Sequence, residues 1–256
     1  MNTGTYAQTH ETILKNGKEL FLKEGFERAN LREICRLSGV TTGGFYRHFK
    51  DKADLFSALV EPAIQGLQAQ YSASEKLCFT VLENSGIDEI WKVSAEALED
   101  FVSYIFDNLE SFKLILCCAS GTKYAEFTDW MVEREMKDMY KTYELLEKKS
   151  IIVRHLPPKE LHMLTHAYFS CIFETVLHNF KKKDALNSMK TLADFFFRRL
   201  EEGFRIGRWG EIGLERLFII IMIFTLNNFY YFTFNFINKT MLFIYCSRPI
   251  TAQISF

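Results

Sequence analysis

The sequence predicts an all-α protein with a small N-terminal head on a larger helical body. Three observations carry this. Apolar residues recur at three- and four-residue spacing through most of residues 9–204. No stretch alternates with period two over a useful length, and no internal repeat or low-complexity linker interrupts the chain. Glycine, proline and hydroxylated residues mostly punctuate the periodic runs, giving about nine helices with boundaries good to a few residues. At 256 residues there is ample apolar material for a core. The net charge of −1 excludes the global basic field of a non-specific polyanion binder. Residues 1–55 nevertheless hold nine Lys/Arg against seven Asp/Glu, a local +2 that leaves −3 for the remainder.

In chain order, Thr9 or Thr12 can open a first helix whose inward stripe is Ile13, Gly17, Leu20 and Phe21. Gly25 stops it and Phe26 packs back. Residues 30–49, NLREICRLSGVTTGGFYRHF, read as two short helices around a tight turn. Leu31, Ile34 and Cys35 share a buried face, Gly39 supplies the left-handed turn, and Val40 plugs it. Thr41 can cap the second helix, and Phe45 and Phe49 point inward together. Residues 51–54 start the next helix, with Phe56, Leu59, Val60, Ala63, Ile64 and Leu67 on its apolar face and Pro62 as a bend. SASEK and NSGID, within residues 72–88, read as loop-and-cap signals around a short helix. Helices are then expected at 88–108, 109–118, 127–149, 159–180 and 184–200, with Pro157 and Pro158 restarting the chain before the fourth of these. The charges of 127–149 read as a solvated face.

The outward face of the hairpin carries Thr41, Thr42, Gly43, Gly44, Arg47 and His48, with Tyr46 at its edge. Threonine hydroxyls and arginine forks can read base edges in a major groove. Tyr46, His48 and Lys52 can bond to phosphates and fix register. Gly43 and Gly44 weaken the helix but put no side chain where a backbone must come close. Arg32 can join from the first helix of the hairpin. Any helical hairpin with a polar face would share this spacing. GVTTGGFYRHFKDK, however, resembles the recognition helix of the tetracycline-repressor-like (TetR/AcrR) family of bacterial regulators in its Gly39-Val40 turn, Thr41 cap, Tyr46 and Phe49 core pair and trailing Lys52. The resemblance covers roughly residues 8–67. Gly44 departs from it, standing where the family often has a contacting side chain.

That resemblance implies a DNA-binding head at 8–67, an effector-binding and dimerisation body at 68–204, a double-stranded palindromic operator, and repression relieved by a small effector. Helices 159–180 and 184–200 carry more large apolar groups than one side of a hairpin needs, as a four-helix homodimer interface would. Aromatic, Met and Cys side chains between 88 and 177 would make an ordinary core equally well. The resemblance implies instead a cavity for a small apolar or amphipathic effector, with Trp91, Phe101, Tyr104, Cys117, Trp130 and Tyr168 as candidates. No cofactor is expected. His162 and His166 stand four apart but lack an acidic third ligand, so no metal site is read there. No serine elbow, phosphate loop or dinucleotide fingerprint supports an enzyme. Six scattered cysteines without a C-x-x-C pair fit a reducing cytoplasm, and the polar N-terminus lacks a signal-peptide h-region.

After about residue 200 the character changes. Residues 203–213 hold four glycines, and 217–246 hold one charge, Lys239, with ten Phe/Tyr and four Asn. Residues 205–256 have the usage that AT-rich DNA yields when translated outside its frame or past a lost stop codon, which is the expectation here. A membrane span over 217–237 is the other reading, opposed by Asn227, Asn228 and Asn235 at its centre. It would make the chain a membrane-tethered helical binding protein that does not bind DNA.

Overall fold

The computed structural model of the chain describes residues 5–84, 87–150 and 155–190, with backbone alone at 87–92, 94 and 95. Among these residues the fold is all-α: α1 (Tyr6–Glu24), α2 (Leu31–Leu37), α3 (Thr42–Phe45), α4 (Lys52–Asn84), α5 (Ile87–Asp107), α6 (Leu109–Cys118), α7 (Phe127–Lys148) and α8 (Pro158–Leu177). A further helical segment occupies 182–190. The rest of the expected 184–200 helix, the tail at 205–256 and the proposed span within it, and the side chain of Trp91 lie outside the described residues.

Local chemistry accounts for the ends. Thr5, rather than Thr9 or Thr12, opens α1: its hydroxyl accepts from Gln8 N while the Gln8 side chain accepts from Thr5 N, a reciprocal capping box. Pro158 begins α8, where a missing N–H costs nothing.

The largest difference from expectation is α4. The break read at SASEK does not occur, and one helix of 33 residues runs to Asn84. Ser72 and Glu75 do not turn the chain; they face polar partners on α7. The Ser72 hydroxyl accepts from Arg134 at 2.6 Å, and Glu75 accepts from Lys141 at 2.8 Å. Pro62 sits inside this helix at an exposed position, losing one backbone bond without ending it.

α1–α3 and the start of α4 form the head. Ile13, Phe21, Ile34, Phe45, Leu55 and Phe56 are fully buried there. Gly17 lets α1 pack closely on α4, since a Cβ would come within 2.7 Å of the Leu55 side chain and force it to shift. The head is not an independent globule. Its core continues through Val60, Leu67, Ile105 and Phe112 into the body. Phe26 N donates to the carbonyl of Cys118 at 2.9 Å, and Lys18 pairs with Glu110 at 2.5 Å, so α1 and its following loop are stitched to α6. A second cluster, built on Leu82, Met139, Tyr143, Leu146 and Leu161, lies at the far end of α4 between α7 and α8.

No described helix is long and apolar enough to cross a membrane. His162 and His166 are exposed, and no group of three possible metal ligands occurs among the described residues.

Phe45→Ala should lower head stability by about 3–5 kcal/mol, the usual cost of emptying a fully buried aromatic site. Thermal unfolding read by circular dichroism checks this; a shift corresponding to under about 1 kcal/mol would show that Phe45 is not the wedge its burial implies.

Candidate functional site

Residues 30–49 fold as their chemistry dictates. The Asn30 side chain accepts from Arg32 N at 2.8 Å and opens α2. Gly39 follows the Ser38 cap with φ +66°, a left-handed conformation that a side chain would resist. The Thr41 hydroxyl accepts from Gly44 N at 3.0 Å and opens α3. α3 is a single turn, carried on by His48 N donating to Phe45 O at 2.8 Å and Phe49 N to the same carbonyl at 3.1 Å. With Gly43 and Gly44 inside it, so short a helix holds its shape through the burial of Phe45 and Phe49.

Above that wedge, Thr41, Thr42, Gly43, Tyr46 and Arg47 are exposed and Gly44 is half-buried. Arg32 is exposed at the start of α2, on the adjoining helix of the hairpin. Arg36 is held by two bonds to Glu33, at 2.8 and 2.6 Å. No ion pair engages Arg32 or Arg47 among the described residues. The result is a short ridge of hydroxyl and guanidinium donors, with Lys50 exposed at its end.

Two of the expected phosphate contacts are used otherwise. Lys52 Nζ donates to the carbonyls of Phe26, Glu27 and Ala29 at 2.6, 3.3 and 3.0 Å, and lies 4.3 Å above the Phe26 ring. All three ammonium protons are committed, so Lys52 clasps the loop between α1 and α2 rather than facing a phosphate. Burial also pushes its pKa down from the ordinary lysine value. His48 is half-buried and stacked on Tyr6, with ring centroids 4.2 Å apart and His10 at 5.6 Å. Its pKa is lowered, first by burial and then by His10 and Arg47, which favours a neutral ring. His48 thus serves the contact between α1 and the recognition turn. Tyr6 was not singled out in the sequence; its phenol donates to Arg47 O at 3.2 Å.

The effector candidates separate in the same way. Phe101 and Tyr168 line a cavity of about 80 Å³ bordered by α4, α5, α7 and α8. Tyr104 does not: its phenol donates to Ala63 O at 3.2 Å and occupies the space beside Gly66. Cys117 is exposed, and Trp130 sits partly exposed against Phe127, outside the cavity lining. The sequence reading missed Glu135 and Asp138, which line the cavity and are each only 4% exposed. The signal was present. Both fall on the stripe of Met131, Val132, Met139 and Thr142, so this face of α7 is buried and not solvated. Burial, then Asp138, pushes the Glu135 carboxyl well above the usual carboxylate range, and burial also raises Asp138.

With this geometry in view, residues 13–59 match the family described as bacterial regulatory proteins, tetR family. The head is thus similar to that of the tetR family. It is similar to the HTH-type transcriptional repressor BepR of Brucella suis biovar 1 (strain 1330), 41% identical over 54 residues that cover 21% of this chain and 26% of that protein. It is also similar to the HTH-type transcriptional regulator AcrR of Shigella flexneri, 42% identical over 69 residues that cover 26% of this chain and 32% of that protein. The match thus spans about a third or less of these curated relatives. Among solved structures, the TetR family transcriptional regulator PfmR from Thermus thermophilus aligns with a TM-score of 0.49 at 17% identity, over 71% of this chain and 91% of that one.

Two outcomes test the reassigned residues of the head. Lys52→Met should cost about 1–3 kcal/mol of stability by leaving three carbonyls without their donor. An unchanged melting temperature would return Lys52 to the phosphate face. Because the folded pKa of His48 is depressed, the unfolded chain takes up the proton first. The stability this gives is present above the ordinary histidine pKa of about 6.5 and is lost as pH falls below it. His48→Phe should therefore flatten the loss of melting temperature between about pH 7 and 5; an unaltered slope would place the proton elsewhere.

Proposed function

We propose that the chain is a DNA-binding transcriptional regulator acting as a homodimer. It holds a palindromic operator and releases it when a small molecule enters the body. The observation that carries this reading is the exposed ridge of Thr42, Tyr46 and Arg47, propped on buried Phe45 and Phe49 within residues that match the tetR family. Repression is the favoured sense because BepR, the relative of the head, is named a repressor. The assigned units are a head at 8–67 and a body at 68–204, and a regulator of this kind works in the cytoplasm, where chromosomal DNA is. No catalytic role is proposed.

Arg47, Thr42 and Arg32 are assigned to base edges in the major groove. Thr41 keeps its hydroxyl proton for a base or phosphate oxygen while its oxygen caps α3. Gly43 and Gly44 let the backbone approach the duplex, and Tyr46 and Lys50 take phosphates. Two such heads on a two-fold axis would meet half-sites one helical turn apart.

The dimer is assigned to α8 and the segment after it. Much of the apolar surface expected for this purpose is spent inside the subunit: Leu161, Phe169, Ile172, Phe173 and Val176 are buried. Met163, Leu177 and Phe180 remain exposed and form the available face.

Coupling between pocket and operator follows from α4. Lys52 clasps the head at one end of this helix, and Tyr71 borders the cavity 19 residues later, about 28 Å along the same rod. A molecule that fits only one tilt of α4 would shift the population toward a head spacing the operator does not accept.

Selection of binding sites from random duplexes with the full chain tests the reading. A two-fold symmetric consensus is expected. Arg47→Ala should then weaken binding to it by about 1–3 kcal/mol and relax preference at one base pair per half-site. Unchanged affinity and preference in a mobility shift would refute the assignment.

A further inference from the structure

The cavity differs from an ordinary core gap in its polar lining. Glu135 and Asp138 come from α7 and are almost completely buried. Glu75 and Gln70 come from α4. Two of the oxygens brought here, Asp138 Oδ2 and Gln70 Oε1, are enclosed and receive no N–H or O–H donor, although the Asp138 and Glu75 carboxyls lie within hydrogen-bonding reach of each other. Both accept, and buried acceptors of this kind are normally satisfied. What they lack is a donor.

The charges of the site are nearly balanced. Lys141 Nζ bridges Glu75 Oε1 and Asp138 Oδ1, each at 2.8 Å, and Arg134 lies 3.5 Å from Glu75 Oε2 and above the Tyr71 ring. The third carboxyl, Glu135, has no cationic partner; the Tyr71 phenol donates to it. Ionising Glu135 therefore leaves one negative charge to be matched, in a cavity whose other walls include Phe101, Tyr168 and Phe169.

We propose that this cavity takes a protonated organic amine, its N–H groups directed at Asp138 Oδ2, Gln70 Oε1 and the Glu135 carboxylate and its apolar part against the aromatic walls. The assignment deepens the regulator reading by naming the class of its effector, and rests on that reading only for the consequence at DNA. Binding is an exchange of protons as well as of partners. Burial and neighbouring Asp138 oppose a charge on Glu135, so the empty site favours the protonated carboxyl. The incoming cation favours loss of that proton to solvent, so amine binding and proton release are coupled. The other titratable groups facing the site are Tyr71, Glu75 and Cys78 on α4, Arg134, Asp138 and Lys141 on α7, and Tyr168 on α8; none of the α5 lining residues titrates. A neutral donor brings no charge to match an ionised Glu135 and releases no proton, and an anion adds like charge to three carboxyls. A quaternary ammonium carries charge but no N–H donor.

Calorimetry on the full chain with propylamine, a size suited to a cavity of about 80 Å³, tests this against propan-1-ol, propanoate and the N,N,N-trimethyl derivative of the amine. The amine is expected to bind about tenfold or more tighter than the alcohol, the trimethyl derivative to fall between them, and the carboxylate not to bind. Titrations in buffers of different ionisation enthalpy should show net proton release on amine binding at pH 7. Glu135→Gln, of the same shape, should abolish proton release and remove most of the preference for amine over alcohol. Its melting temperature near pH 7 should rise, which guards against misfolding as the cause. Gln70→Leu, on the partly exposed α4 face, should weaken the amine and leave the alcohol unchanged. Absence of amine binding, equal or tighter binding of the alcohol or the carboxylate, or an unimpaired amine preference in Glu135→Gln overturns the proposal. The same preparation is taken through the duplex selection described above. Operator binding without amine preference overturns this inference alone, and amine preference without any DNA binding overturns the regulator reading alone.

Discussion

The structure depends on one constraint, the burial of two phenylalanines beneath a helix too short to stand by itself. Phe45 and Phe49 anchor the single turn of α3, and everything polar above them takes its direction from that anchorage. One turn fixes several backbone dihedrals for very few hydrogen bonds, and two glycines make it weaker still. The head repairs this deficit from its periphery. Thr41 caps the turn, Tyr6 and His48 stack across from α1, and Lys52 gathers the carbonyls of the α1–α2 loop from the start of α4. The ridge is then held by side chains drawn from α1, α3 and α4 and from the residues flanking α3.

The same α4 carries the constraint into the body. Leu55 and Phe56 belong to the head core, Val60 and Leu67 continue it, and Cys78 and Leu82 reach the second cluster. A rod with apolar contacts along its length transmits tilt because its packing is not continuously deformable. Against it lies the least economical part of the molecule, the buried acidic face of α7. An unpartnered carboxylate oxygen lowers the stability of the empty protein, a cost that sites of function carry and structural cores usually do not.

How much of this was legible in the sequence follows from the range of the interactions. The cap at Thr41, the turn at Gly39 and the inward pair Phe45 and Phe49 rest on neighbours within a few residues, and the spacing alone predicts them. Lys52 looked like a phosphate ligand because its partners stand 23 to 26 residues upstream, and nothing in FKDK announces them. Ser72 and Glu75 looked like a loop because polar residues usually end a helix; here they meet Arg134 and Lys141 about 60 residues away. Glu135 and Asp138 were the recoverable misses. Their register with Met131, Val132 and Met139 placed them inward, and only the habit of assigning charge to solvent hid it. Tyr104 and Trp130, named for their aromatic rings, stand outside the cavity lining, because composition cannot separate packing from a cavity.

The most direct measurement of the central claim is amide hydrogen exchange of the full chain, free and bound to a selected duplex. Docking of the ridge predicts slowed exchange concentrated in residues 41–49 and the start of α2, with the exposed face of α8 unaffected by the duplex. Unchanged exchange at 41–49, with protection gathered elsewhere on the chain, would contradict it.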